Sequence, residues 1–319
     1  MNGLELARKY YETYGKEMIE SVEPSLFERI SAGLCGEGSQ CMGFDDTISQ
    51  DHDFAPGFCI WLTEEDFAHY GQALREAYEK LPHSFCGFSR ENIIADDRLG
   101  VMTSSSFYQR FTGSPTGPEN NLDWLMTPEA QLAVATNGQL FHNKNRDFSM
   151  VRESLLAFYP EDVRRKKIAA RAAIMSQAGQ YNLLRLIKRQ DKVAVTLALA
   201  RFTEATISMV HLLNKRYTPF YKWAFFSMKT LPRLADTVAP LLTALADIPA
   251  LLKKEPTAKL HDTAFKLTEE ICAAVAAELR AQGLSQEEDN FLQSHLASLM
   301  AGIKDPQLAA MHPMADCPN

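Results

Sequence analysis

Short apolar runs bounded by turn residues fill the first half of the chain, and long runs with helical spacing fill the second. GFCIWL, Gly57 to Leu62, and LGVM, Leu99 to Met102, are apolar, brief and flanked by Gly, Pro and charged residues, the pattern of strands. Between them TEEDFAHYGQALREAYEKL, Thr63 to Leu81, places apolar residues at helical spacing behind a Thr-x-x-Asp capping box. Strand, helix and strand in succession predict an α/β or α+β domain. Upstream, MNGLELARKYYETYGKEMIE reads as an amphipathic helix. Downstream, SPTGPENNLDWLM, Ser114 to Met126, reads as a loop entering a short helix, and TPEAQLAVATNG, Thr127 to Gly138, as a capped helix stopped by glycine. In HNKNRDFSMVRESL, Arg146-Asp147 reads as the cap of the helix that follows, or as closing the rim of the first domain.

From about Pro160 the period changes to that of long helices. EDVRRKKIAARAAIMSQAGQYNLLRLIKR and KVAVTLALARFTEATISMVHLLNKR predict two of them, interrupted near Gln190 and Asp191. Further helices are expected over 231–252, 257–282 and 286–303, and short connections make them an antiparallel bundle. The chain therefore divides into a first domain over 1–150, with its N-terminal helix, and an all-α helical bundle over 151–319. The charged run Arg164 to Lys167 reads as a solvated helix face.

Composition narrows the classes of function. The 319 residues, 46% of them hydrophobic, are enough for two cored domains. A net charge of −7 argues against bulk nucleic-acid binding, which needs a basic surface. The six cysteines, Cys35, Cys41, Cys59, Cys86, Cys272 and Cys317, form no CxxC pair and read as free thiols in a reducing cytosol. The first helix lacks the apolar core of a signal peptide, and no run of about 18 apolar residues is evident. The expectation is a cytoplasmic protein with no membrane span.

Candidate chemistry lies in GEGSQCMGFDDTISQDHDF, Gly36 to Phe54. If Asp51-His52-Asp53 runs on into the strand GFCIWL, the two aspartates project from one face. Two carboxylates held close call for a divalent cation, and their hard oxygens suit Mg²⁺ or Mn²⁺. A Gly38-Ser39 turn lets backbone N–H groups and a hydroxyl reach phosphate oxygens. Acid-x-acid pairs and Gly-Ser turns also occur in ordinary loops, and the pattern alone leaves that reading open. Asp45 and Asp46 read as turn formers in the spacer.

Gly38-Ser39, an eleven-residue spacer and Asp51-His52-Asp53-Phe54 together resemble the signature of the nucleotidyltransferase superfamily that includes DNA polymerase β and the aminoglycoside nucleotidyltransferases. The same stretch, with LAVATNGQLFHN, FYPEDVRRKKIA, GQYNLLRLIKRQD and LLNKRYTPFYKW, looks like a bacterial family catalogued as a domain of unknown function and assigned to that superfamily. The resemblance spans roughly residues 25 to 230. It implies an α+β protein, with a small mixed-sheet nucleotidyltransferase domain followed by the helical bundle. It also implies Asp51 and Asp53 as catalytic metal ligands and Gly38 and Ser39 at the triphosphate. Two positions depart from the pattern. His52 replaces an apolar residue, and the later strand LGVMTSSSF offers Thr103 and Ser105 where a third carboxylate is expected, with Asp96 and Asp97 just upstream.

The second half contributes cations and aromatics. LNKRYTPFYKW supplies Lys215, Arg216, Tyr221 and Lys222 around Pro219, as nucleotide-binding residues or as a solvated basic turn. QYNLLRLIKR sets Tyr181, Arg185 and Lys188 on one helical face, for a nucleotide or for packing. Glu204 is a candidate general base for an acceptor hydroxyl, or a buried glutamate paired with Arg201 or Arg185. The expected function is transfer of a nucleoside monophosphate from a nucleoside triphosphate to a hydroxyl of a small molecule or protein, with Mg²⁺ or Mn²⁺. The alternatives are a nucleotide-binding or interaction module without turnover, and an antitoxin-like partner of a helical toxin.

Overall fold

Both faces of one short strand are covered by helices, and the first half of the chain is organised around it. The computed structural model describes residues 1–50, 54–90 and 98–315. Its strands are β1 (Ser31–Leu34), β2 (Cys59–Leu62), the two-residue pair β3 (Ser84–Phe85) and β4 (Phe88–Ser89), β5 (Gly100–Thr103) and β6 (Gln139–Asn143). The helices up to residue 156 are α1 (Gly3–Tyr10), α2 (Lys16–Val22), α3 (Ser39–Met42), α4 (Glu64–Glu79), α5 (Ser104–Thr112), α6 (Asn121–Met126), α7 (Glu129–Thr136) and α8 (Arg146–Leu156). The chain divides into two units, Met1–Glu119 with Gln131–Ala157, and Asn120–Ala130 with Phe158–Asn319. Compared with a boundary at 150/151, the division falls after Ala157, about two helical turns later, and the segment 120–130 goes with the second unit.

In the first unit the sheet order is β5-β2-β1-β6. β1 is antiparallel to both of its neighbours, whereas β2 and β5 are parallel, so the sheet is small and mixed. Residues of alternate parity supply its two faces. Ala32, Ile60, Leu62 and Val101 join Tyr10, Met18, Ile19, Leu74 and Tyr78 of α1, α2 and α4 in one core. On the other face Trp61 stacks on Phe148 of α8 at 4.2 Å and meets Phe107 of α5 edge-on at 5.4 Å. Burial on both sides explains why GFCIWL is continuously apolar instead of alternating. The N-cap half of the expected box forms, with Thr63 Oγ1 accepting from the Asp66 N–H at 3.1 Å, while the Asp66 carboxylate pairs with Arg29 at 2.9 Å. The cap of α8 is Asn145, and not Arg146-Asp147: its Oδ1 accepts from the Phe148 N–H while its Nδ2 donates to Trp61 O and Ser104 Oγ.

Neither β1 nor β6 is evident from hydrophobic pattern. SAGL is a strand of small residues, and QLFHN is only half-buried. Their pairing is tight instead of greasy. Gly138 has φ +71°, and a Cβ there would lie 1.9 Å from Leu34 O. One residue of β6 bulges opposite Ala32/Gly33, which bends the pair locally.

The second unit continues with α9 (Glu161–Met175), a π-helical turn over Ser176–Leu183, α10 (Leu184–Arg189), α11 (Lys192–Leu213), α12 (Tyr221–Met228), α13 (Ala235–Ala246), α14 (Ile248–Leu251), α15 (Thr257–Ala281), α16 (Leu296–Ala301) and α17 (Pro306–Ala310). α9 through α10 is one helical run ending at Gln190, which adopts φ +55°. The helix expected over 286–303 is shorter. Asp289 accepts from the Phe291 N–H and its carbonyl faces His295, and such local bonds compete with helix over 285–291. α11 is long and apolar enough to cross a bilayer by length and composition, although Arg201 and Glu204 interrupt its apolar run. More than half of its apolar window is buried, and it packs on α9.

The run Arg164 to Lys167 overturns its reading as a solvated face, because Arg164, Lys166 and Lys167 are buried. Backbone carbonyls are prominent among their partners, beside the Glu161 carboxylate and Gln282 Oε1 on Arg164. Arg164 Nε donates to Leu212 O at 3.1 Å, Lys166 Nζ to His312 O and Pro313 O at 2.7 and 2.9 Å, and Lys167 Nζ to Leu125 O at 3.2 Å. Leu212 and Leu125 lie in the last turns of α11 and α6, where a cation is favoured, and Leu212 O accepts from the Lys215 N–H as well as from Arg164.

The tight β1–β6 pair sets a stability test. Gly138→Ala should lower unfolding free energy by more than about 3 kcal/mol, combining a left-handed backbone with a backbone clash. Gly113→Ala, at φ +77° with open space around it, should lose only about 1 kcal/mol in the same urea titration.

Candidate functional site

The Gly38-Ser39 turn is placed by β1. The C-terminal end of β1 and the N-terminal ends of β2, β5 and β6 lie at one end of the sheet, as the pairings Gly33–Cys59, Cys59–Gly100 and Leu34–Gln139 require. From there the chain runs through Cys35 to Gly38, where φ is +110° and ψ 151°, a conformation that glycine alone adopts readily. Ser39 then opens α3. Gly36 is gripped from both sides by Asn137, which accepts its N–H at 2.9 Å and donates to its carbonyl at 2.7 Å. Glu37 pairs with Arg110 at 2.6 Å. In the spacer Asp46 accepts from the Ile48 and Ser49 N–H groups, the turn-forming role expected of it, and Asp45 accepts from the Gly3 N–H.

Asp51, His52 and Asp53 lie outside the described residues, as do Asp96, Asp97 and Cys317. The chain that follows the aspartates is held firmly. Tyr78 Oη accepts the Phe58 N–H at 2.9 Å and donates to Phe58 O at 2.8 Å, and Arg90 Nε donates to Pro56 O. β2 begins only at Cys59, and Phe54–Phe58 is not strand. A period-two placement of Asp51 and Asp53 on a continuous strand therefore does not carry across these five residues. Thr103, one of the two positions where a third carboxylate was sought, caps α5 by accepting the Ser106 N–H at 3.0 Å. Among the described residues no group of three or more His, Cys, Asp and Glu is arranged to hold a metal.

Beside β5 lies a cavity of about 600 Å³, bordered by Glu37, Arg75, Arg98, Ser106, Phe107 and Arg110 among others. Its three guanidinium groups come from α4, the approach to β5 and α5, so no local sequence spacing announces them. Cys35 also borders it. Burial pushes that thiol up to about 11 against the pull of Arg152, which keeps it protonated and unreactive. Cys35, Cys41, Cys59, Cys86 and Cys272 are all unpaired thiols.

In the second unit a separate cavity of about 480 Å³ is bordered by Glu129, Lys167, Arg171, Arg201, Glu204 and Tyr221 among others. Its inner wall is a buried ion pair. Arg171 bonds Glu129 at 2.5 Å, and Ser208 Oγ accepts from Arg171 Nε and donates to the Glu129 carboxylate. Burial raises the Glu129 pKa, but Arg171, Lys167 and hydrogen bonds outweigh it and hold the group at about 2. Glu204 and Arg201 are exposed, which overturns the reading of Glu204 as a buried paired glutamate. Tyr221 is 74% exposed. Glu204 and Tyr221 are thus brought to one cavity. Tyr181 and Arg185 are exposed and stack on each other, with the guanidinium 4.1 Å from the ring centroid. Lys215 and Lys222 are also exposed, and Lys222 lies over Trp223 at 5.6 Å. None of Tyr181, Arg185, Lys215 and Lys222 is among the residues bordering the cavity. Glu129 and Arg171 were not legible as partners, because a helix-start glutamate and a helical arginine read as surface residues.

Residues 124–224 match the model of a family described as a domain of unknown function (DUF4037). The matched span contains Glu129, Asn137, Arg152, Arg171 and Glu204. No curated protein and no solved structure matches the chain.

The buried pair makes a pH prediction. The folded pKa of Glu129 is depressed from 4.5 to about 2, so its contribution is complete above about pH 4.5 and is lost as pH falls toward 2. Glu129→Gln should cost about 3 kcal/mol at neutral pH, by stranding Arg171, and should flatten the acid limb of stability measured by urea unfolding between pH 5 and pH 2.5.

Proposed function

We propose that the protein is a metal-dependent nucleotidyltransferase that moves a nucleoside monophosphate from a triphosphate to a hydroxyl. The observation that carries this reading is topological. Gly38 and Ser39 follow the C-terminal end of β1, and the antiparallel neighbour of β1, the strand that follows Asp51 and Asp53 in the chain, begins at that same end. A small mixed sheet with the glycine-serine turn at that end accords with the signature read from the sequence. Mg²⁺ or Mn²⁺ on Asp51 and Asp53 would polarise the α-phosphate when bound.

In this reading the Gly38-Ser39 backbone and hydroxyl hold phosphate oxygens. The acceptor oxygen bonds to the α-phosphorus as the bond to the bridging oxygen of pyrophosphate breaks, and the hydroxyl proton passes to a carboxylate. Glu204, exposed beside Arg201 and Tyr221, is the candidate base; Tyr181, Arg185, Lys215, Tyr221 and Lys222 are candidate nucleotide contacts. A second reading, a nucleotide-binding or interaction module without turnover, is favoured by one observation. β5, Gly100–Thr103, carries no carboxylate, and Thr103 is committed to its helix cap.

The double variant Asp51→Asn/Asp53→Asn should lose binding of ATP with Mg²⁺ or Mn²⁺ by calorimetry, and unaltered transfer by it would sink the mechanism. Glu204→Gln should lower kcat by about 10²-fold or more with little change in triphosphate affinity. Triphosphate binding without transfer to any acceptor in a broad screen would favour the second reading.

A further inference from the structure

Asn137 is joined to the Gly38-Ser39 turn by a chain of contacts that runs through backbone. Its carboxamide faces Gly36 as a peptide group would, with Oδ1 accepting the N–H at 2.9 Å and Nδ2 donating to the carbonyl at 2.7 Å. The β1–β6 ladder has its last pair at Leu34–Gln139, so the side chain supplies one more rung where the strands part. Asn137 is itself anchored. Arg152 of α8 donates to Thr136 O at 2.9 Å and Asn137 O at 2.8 Å, and reaches Cys35 Sγ at 3.7 Å. The next residue, Gly138, lies against Leu34 O with no room for a Cβ. Residues 136–138 are thus fixed to α8 on one side and to the end of β1 on the other.

Gly36 is two residues before Gly38, and Gly38 has a backbone conformation that side-chain-bearing residues resist. A turn built on two glycines at positive φ has wide conformational freedom unless something outside it sets its direction. Within the first unit the two-way bond from Asn137 does so. Asn137 belongs to the helix-to-strand turn TNG that opens β6. Its amide is spent on Gly36, and no contact with a ligand is needed for its effect.

We infer that Asn137 is the positioning residue of the Gly38-Ser39 turn, setting the direction in which that turn presents its N–H groups and hydroxyl to the phosphates. This rests on the nucleotidyltransferase reading above and deepens it. Removing the amide frees the turn to sample directions that do not bind, so the loss falls on the phosphate chain of a ligand and is independent of the base. Arg152 acts one step further back, by holding the backbone of Asn137.

The test titrates ATP and inorganic tripolyphosphate, each with Mg²⁺, into the full chain carrying Asn137→Ala, and melts each protein in parallel. Tyr108→Phe is the matched control, since it removes a buried hydroxyl bonded to Phe148 O at 2.9 Å elsewhere in the same unit. Asn137→Ala should weaken both ligands by the same factor, on the order of tenfold, as expected for loss of a net hydrogen-bonding contribution. Tyr108→Phe should lower the melting temperature and leave both dissociation constants unchanged. Asn137→Asp keeps the acceptor for the Gly36 N–H and forfeits the donor to its carbonyl. It serves as second variant if alanine fails to fold, is read at high salt to screen its charge, and should weaken both ligands in the same direction. Unchanged constants, a loss confined to ATP, or an equal loss in Tyr108→Phe would each overturn the assignment while leaving triphosphate binding intact. Wild-type protein that binds neither ligand would overturn the parent reading, and the assignment with it, without any variant being involved.

Discussion

A buried backbone carbonyl or N–H must find a partner, and in this protein the partners at element ends are repeatedly side chains from distant parts of the chain. Asn137 takes both polar groups of Gly36, and Tyr78 takes both of Phe58. Arg152 closes the end of α7, Arg164 the end of α11, and Lys167 the end of α6. The sheet is only four strands wide and its strands are four or five residues long, so its ladders end quickly and leave many such groups near the core. The arrangement of loops at the candidate site follows from which side chains answer them.

That dependence explains what could and could not be read in advance. β2, β5 and α4 were legible because apolar runs and a capping box are local signals, and α9 to α11 because their helical period is long. β1 and β6 were not, because their pairing rests on Gly33 and Gly138 letting two backbones approach, and small residues leave no hydrophobic pattern. The run Arg164 to Lys167 was misread for a related reason. A carbonyl has no sequence signature, so a cation destined for one looks the same as a cation destined for water.

The candidate site was partly legible. Gly38 and Ser39 stood out by residue type, and β1 places them at a sheet end. Asn137, Arg75, Arg98 and Arg110 did not stand out, since each reaches its place by tertiary folding alone. Glu204 and Tyr221 were singled out separately and border one cavity, whose inner wall, the Glu129–Arg171–Ser208 cluster, joins a helix start to two helix interiors. Spacing within one helix cannot reveal a partnership of that kind.

Lys166 carries the same principle into the order in which the protein is made. Two of the acceptors of its buried ammonium, His312 O and Pro313 O, are 146 and 147 residues further along. At ribosomal speeds they appear roughly seven to thirty seconds after the lysine does. Until then α9 has emerged with a cation meant for the interior and without these two acceptors. This part of the second unit's packing is therefore completed only once residue 313 has been made, and a chain released short of residue 312 lacks two of the acceptors that hold this buried charge.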